Sequence, residues 1–230
     1  MFRLVKICAI FLFGLSSGLA QNAPTISGKH ILGKVEAGFA DIQDYTVSLD
    51  VKLDLERLKV PQMKARMYFK QPDKIHFESE GFALLPKEGV GFNPSRLQER
   101  FDVESVTEEK ASQQYTLSVR PRNDKTKLRR VFLTVNASNW TVEQILTPQF
   151  DGRQMKAVFT YQHIMNRLLP AQLTVTLSSD STSAEIPEQI PSSQRTSQFP
   201  RTGTIVIRYS DYQINTGLKD ELFQQNRAEK

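Results

Sequence analysis

Cysteine is nearly absent: the one residue, Cys8, lies inside an apolar run close to the start of the chain. Once that run is removed, no thiol, disulfide or thiolate metal ligand remains. Histidine is scarce too, and His30, His76 and His163 are too far apart to form a pair at metal-ligand spacing. The chain has no Gly-x-Ser-x-Gly and no phosphate-cradling glycine loop. Hydrolase and metalloenzyme chemistry is therefore not expected, and the reading assigns no catalytic residue, no metal and no cofactor. A strong charge of one sign is also missing. The 30 Lys and Arg stand against 25 Asp and Glu, an excess too mild to imply nucleic acid.

No apolar run reaches the roughly 20 residues of a membrane-spanning helix. The first twenty residues instead read as a secretory signal peptide: Arg3 and Lys6 precede the apolar stretch Ile7 to Leu15, and Ser17-Gly18-Leu19-Ala20 supplies small residues for cleavage after Ala20. Without Arg3 and Lys6 the formal charge drops from +5 to about +3. No Leu-(Ala/Ser)-Gly-Cys lipidation box is present, so the expected mature protein is soluble rather than lipid-anchored, with residues 21–230 as one domain.

After a polar spacer, "HILGKVEAGFADIQDY" places Ile31, Leu32, Val35 and Phe39 at helical spacing, and Ile42 extends the same face. Gly33 and Gly38 weaken that helix. From Asp44 the period changes to two. Tyr45, Val47, Leu49, Val51, Leu53 and Leu55 alternate with polar residues, which predicts a long strand apolar on one side only.

The same rhythm returns in Met63/Ala65/Met67/Phe69, Ile75/Phe77, Tyr115/Leu117/Val119, Val131/Leu133/Val135, Leu173/Val175/Leu177 and Ile205/Ile207/Tyr209. "QPDK", "LPKEG", "RNDK", "NASN" and "FDGRQ" supply the turns. Closely spaced one-sided strands argue for an antiparallel meander of about ten or eleven strands. "HIMNRLL" (His163 to Leu169) reads as a short helical turn before Pro170, and the Ser/Pro-rich stretch 178–203 as a long loop whose far side returns to the same sheet. His76, between Ile75 and Phe77, is expected on the solvated polar face, as are Asp50, Asp54 and Glu56. "NAS" at Asn136 and "NWT" at Asn139 match the glycosylation tripeptide, although "NASN" is more simply a hairpin turn. Periodicity does not separate an apolar face that fills a core from one that lines a cavity.

The stretch "MYFKQPDKIHFE" resembles a segment of the LolA family of periplasmic lipoprotein carriers, approximately Leu-Trp-x-Lys-Arg-Pro-x-x-Phe-x-Trp. Lys70, Pro72, Ile75 and Phe77 take its Lys, Pro, Phe and Trp places. "VGFNP" (Val90 to Pro94) and "YSDYQINTGLKDELF" (Tyr209 to Phe223) resemble later parts of the same family. The resemblance implies a mainly β fold with few helices, a curved and unclosed antiparallel half-barrel under a helical lid. Its hydrophobic cavity would hold acyl chains of lipoproteins or a related lipid, taken from an inner-membrane donor toward an outer-membrane acceptor. The alternative on the same fold is a lipid-sensing or protein-interaction domain of the envelope.

Burying acyl chains gains roughly 0.8 kcal/mol per CH2, so a carrier needs many apolar side chains and few directional polar groups. The lining expected here is Val47, Leu49, Val51, Leu53, Met67, Phe69, Ile75, Phe77, Leu84 and Phe92, under a lid of Ile31, Val35 and Phe39. Met63 and Met67 suit adaptable packing around variable ligands and ordinary core filling equally. The family's residue before the proline is Arg in well-studied carriers, where it is implicated in locking the lid. Here it is Gln71, so that switch does not carry over.

Overall fold

The computed structural model describes residues 26–56, 61–78, 93–122, 130–148, 153–179 and 202–224. Within them lie strands β1 (Asp44–Leu55), β2 (Met63–Lys70), β3 (Lys74–Glu78), β4 (Phe101–Glu109), β5 (Gln114–Pro121), β6 (Val131–Asn136), β7 (Val142–Pro148), β8 (Arg153–Ile164), β9 (Arg167–Ser179) and β10 (Gly203–Ile214). Two helices accompany them, α1 (Gly28–Ala37) and the four-residue α2 (Leu97–Arg100), and a 3-10 turn at Asp220–Phe223 follows β10.

All ten strands join one antiparallel sheet in the order β3-β2-β1-β10-β9-β8-β7-β6-β5-β4. The sheet is curved and unclosed, as the sequence reading expected. Bulges between Thr46 and Ser48, Val103 and Ser105, Thr134 and Val135, and Thr160 and Tyr161 supply bend and extra twist. β10 returns to this sheet between β1 and β9, with Gly203 opposite both Leu55 and Leu177. The stretch between β9 and β10, residues 180–201, lies outside the described residues.

Register keeps the apolar positions on one face. Leu53, Ile205, Val175, Ala157, Ile145, Leu133, Leu117 and Val106 are successive cross-strand partners from β1 to β4. Alternation puts all their side chains on one side of the sheet.

Two local expectations are corrected. "HIMNRLL" is a tight β-hairpin, because Ile164 pairs with Arg167 and only Met165 and Asn166 turn the chain. The α1 helix also stops earlier than its apolar pattern. Ser27 caps its start, accepting from the His30 amide at 3.2 Å, but Gly38 ends it, its amide donating to Lys34 O at 3.2 Å. Glycine is a poor helix interior and a common stop, so Phe39 and Ile42 sit in the turn beyond.

At the start of β10, Gly203 has φ +142°, and a Cβ there would lie 2.5 Å from Asp54 O and 2.7 Å from Leu55 Cα. Both are backbone atoms of β1, which cannot retreat without breaking the pairing. Gly203→Ala is expected to cost about 3 kcal/mol in urea unfolding, and an unchanged midpoint would show that this corner relaxes freely.

Candidate functional site

The inner face divides into two adjoining clusters that share Ile145. The first spans β1, β2, β8, β9 and β10, with Val47, Leu49, Val51, Leu53, Met67 and Phe69 buried together. Ile75 and Phe77 of β3 pack against it, half-buried. The second, built on β5, β6 and β7 around Leu117, Val119, Leu133 and Val135, is covered by Ile31, Leu32 and Val35 of α1.

One end of the first cluster is aromatic. Phe69 stacks on Tyr45 at 5.0 Å, Phe39 meets both rings edge-on at 5.8 and 6.2 Å, and Tyr212 approaches Tyr45 at 5.7 Å. Tyr161 donates to Val142 O at 2.6 Å and Tyr212 to Pro170 O at 2.9 Å. Burial pushes the phenols of Tyr45, Tyr161, Tyr209 and Tyr212 above their usual range. They are neutral donors and acceptors at any physiological pH.

Below this aromatic end, the chain after β10 is strapped back. The Asp44 carboxylate, in a residue only 3% exposed, accepts from the amides of Thr216, Gly217 and Leu218 at 2.8, 3.0 and 3.1 Å. Three consecutive amides around one carboxylate form an anion-binding nest. Lys70 donates to Leu218 O at 2.7 Å and pairs with Asp220 at 2.6 Å, and Lys74 pairs with Asp220 at 2.8 Å.

Hydrogen bonds from Lys70, then Lys74, hold the Asp220 carboxyl at about 2 against an ordinary 3.8. A lowered carboxylate favours the folded strap above its unfolded value and loses that contribution as pH falls through about 2. Carboxyl NMR is expected to titrate Asp220 near that lower value, and a midpoint near the ordinary one would mean that the lysine contacts do not persist in solution.

No protein-family model and no curated protein sequence matches the chain. Solved structures do. A domain assigned to outer membrane lipoprotein sorting, from Vibrio parahaemolyticus, superposes with a TM-score of 0.60 at 10% identity, covering 87% of this chain and 97% of that one. A LolA superfamily protein from Nitrosomonas europaea gives 0.57 at 11% identity over 88% and 100% of the two chains. The LolA-superfamily fold is shared. A protein of the DUF1329 family from Desulfovibrio piger gives 0.58 at 14% identity over 87% and 97%.

Within this LolA-like frame the structure brings eight of the expected lining residues to one region: Val47, Leu49, Val51, Leu53, Met67, Phe69, Ile75 and Phe77. Leu84 and Phe92 lie outside the described residues. The expected lid is split. Phe39 packs in the cluster of the expected lining residues, whereas Ile31 and Val35 cover the neighbouring cluster on β5–β7, because the chain leaves the helix before Phe39. Met63, Ala65, Leu173, Val175, Ile205, Ile207 and Tyr209 belong to the same cluster as the expected lining. Their alternation was visible; β2 carries Met63 and Ala65 there by pairing with β1, and the other five arrive only through the pairing of β10 with β1.

Gln71 makes contacts of its own. Its side-chain amide donates to Ile42 O at 2.6 Å, with weaker approaches to Ala40 O and Phe39 O, and its backbone amide donates to Gln43 O at 2.8 Å. A neutral amide thus ties the β2–β3 turn to the turn after α1.

His76 is a further correction. Alternation did turn it away from Ile75 and Phe77, but it is only 6% exposed, with its ring 5.8 Å from Tyr68 and Nε2 3.9 Å from Glu78. Its Nδ1 has no hydrogen-bond partner among the described residues. Asn136 serves its turn, its Oδ1 accepting from the Ser138 and Asn139 amides and its Nδ2 donating to Glu143 at 2.8 Å.

A cleft of about 560 Å3 opens elsewhere, between the start of α1, α2 and β4, where Lys29, Gln98, Asp102, Glu104 and Arg122 mix with the apolar Leu32, Phe101, Val103 and Val106. Gly28 sits at its floor, where an added Cβ would come within 2.3 Å of Val103. No described group of His, Cys, Asp or Glu is placed to hold a metal, and no described helix is long and apolar enough to cross a membrane.

Proposed function

We propose that the protein is a periplasmic carrier that takes the acyl chains of lipoproteins, or of a related lipid, into the apolar interior of the half-barrel and passes them toward the outer membrane. The observation that carries this reading is the first inner-face cluster. It runs over β1, β2 and β8–β10, contains the adaptable Met63 and Met67, and is capped by the Phe39 turn rather than by a continuous helix. Such a surface offers an acyl chain dispersion contacts and burial without directional demands.

Val47, Leu49, Val51, Leu53, Met67, Phe69, Ile75 and Phe77 would line the path, and Phe39 and Ile42 would move aside. Cleavage after Ala20 would release the carrier into the periplasm. Donor and acceptor would be proteins of the inner and outer membrane, and the carrier itself a monomer that performs no chemistry on its cargo.

Native mass spectrometry of protein taken from its own periplasm is expected to find co-purifying acyl lipid, displaced by a fluorescent fatty acid. Protein free of lipid that also takes up no fatty acid would remove the reading. Enrichment of a membrane signalling protein in its place would favour an interaction domain.

A further inference from the structure

The ladder between β9 and β10 stops at the pair Gln172–Arg208, partway along both strands. Beyond that pair β10 runs on to Ile214 along β1 only, and β9 reaches back to Arg167 along β8 only. Both strands are distorted where they part. β9 carries an extra residue, Ala171, between the partners of Thr160 and Tyr161, and beside it stands Pro170, which has no amide hydrogen to offer β10. β10 has its own bulge, with Asp211 and Tyr212 opposite Val47 and Asp211 at φ +54°. Bulges bend and twist the strand that carries them, so each strand follows its other neighbour and a seam opens between the two.

Side chains close that seam. Gln162 Nε2 donates to Pro170 O at 3.3 Å and to Tyr209 O at 3.1 Å, and the Tyr212 hydroxyl donates to Pro170 O at 2.9 Å. At its end Asp41 straddles both lips, its carboxylate accepting from Arg167 Nε at 2.9 Å and its carbonyl from Asn215 Nδ2 at 2.9 Å. That residue belongs to the turn whose Phe39 and Ile42 cap the first inner cluster. All these bonds can be released without breaking a backbone bond between strands. Behind them lies the cluster itself, since Leu169 and Tyr209 belong to it and Tyr161 and Tyr212 pack against it.

The occupant that fits this geometry is a single alkyl chain. It is slender enough to pass where two strands separate by one more strand spacing, about 4.8 Å, and the wall it would meet is apolar. Tyr212 presents its ring inward and its hydroxyl at the lip, as tyrosine does where apolar and wet regions meet. A peptide strand added here would need free backbone partners, and Pro170 has no N–H while Tyr209 O is already taken.

We propose that the β9–β10 seam is the acyl portal: the chain passes between Pro170 and Tyr209 into the inner cluster, and Gln162 and Tyr212 hold the portal shut. This assignment rests on the carrier reading above and adds the route to it.

The test is stopped-flow uptake and release of a fluorescent fatty acid by the purified protein, read together with amide hydrogen exchange. Gln162→Ala and Tyr212→Phe are each expected to speed uptake and release about fivefold, the size of one lost hydrogen bond, and to leave equilibrium affinity unchanged because both rates move together. Thr147→Val, which removes the 3.3 Å bond from Thr147 to Met155 O between β7 and β8, is expected to change neither rate. Exchange is expected to quicken in the parted segments 167–171 and 209–214 of the two seam variants, and not in the paired halves 172–177 and 203–208. Unchanged rates in both seam variants, with uptake by the wild type intact, overturn the portal and leave the carrier reading standing. Rates that rise as much in Thr147→Val assign the effect to a general loosening of the sheet and overturn the portal as well. No uptake by the wild type removes the carrier reading and the portal with it.

Discussion

Phe77→Asp is expected to abolish acyl loading while the sheet remains folded. Phe77 lies opposite Met67 on the edge strand β3 and packs, half-buried, against the first inner cluster. A carboxylate there would bring a charge to the proposed acyl-binding surface, and an ionised group next to a bound chain costs several kcal/mol unless it neutralises. That is a loss of a thousandfold or so in affinity by the usual conversion. The position is at an edge and partly open, so the empty protein can leave the new carboxylate in water. Circular dichroism and the thermal midpoint would stay close to the wild type, whereas lipid content and fatty-acid uptake would disappear. Normal loading in a folded variant would take β3 out of the binding surface.

The second large effect is expected on stability, from Asp44. Its two oxygens accept three backbone amides, and Oδ1 also receives the Thr216 hydroxyl at 3.3 Å. Asp44→Ala would leave these donors without their acceptor at a buried site. Hydrogen bonds to a charged group are worth about 1.5–3 kcal/mol each, so a net loss of about 4 kcal/mol is expected after water partly replaces them. Asp44→Asn should recover little, because it turns an NH2 group toward amide donors. Hydrogen exchange would show the loss first in residues 215–223, and chemical denaturation would show it globally. Full protection of that segment in Asp44→Ala would assign its anchoring to the Lys70 and Lys74 contacts instead.

Much of this fold was legible wherever a strand is wetted on one side only. β1 and β2 alternate without a miss, and the structure buries the apolar set of each apart from Leu55, which is half-buried at the end of β1. β4 was less legible because the bulge between Val103 and Ser105 puts Val103 and Val106 out of alternation. β7 was obscured by half-burial along most of its length. The hairpin at Met165 had no glycine to announce it, so Ile164 and Leu168 read as helical spacing. Alternation placed His76 on the correct side of β3 and still missed its environment, since burial of a sheet's second face depends on what packs there. For the candidate site, residues near the β2–β3 turn could be named from local pattern and resemblance. Those on β8, β9 and β10 needed a strand order that local pattern does not contain.

That strand order has a consequence in time. Three strands from the start of the domain and six from its middle meet only through β10, and Leu49 finds Tyr209 from the far end of the sequence. Until β10 is available, the first hairpin pair and the β4–β9 meander have no common sheet. Long-range pairings of this kind slow folding, because loop closure must precede the contacts that reward it. A chain made from its N-terminus therefore cannot complete this sheet early. Removing β10 would split the one sheet in two and expose two new edges, on β1 and β9, besides those of β3 and β4.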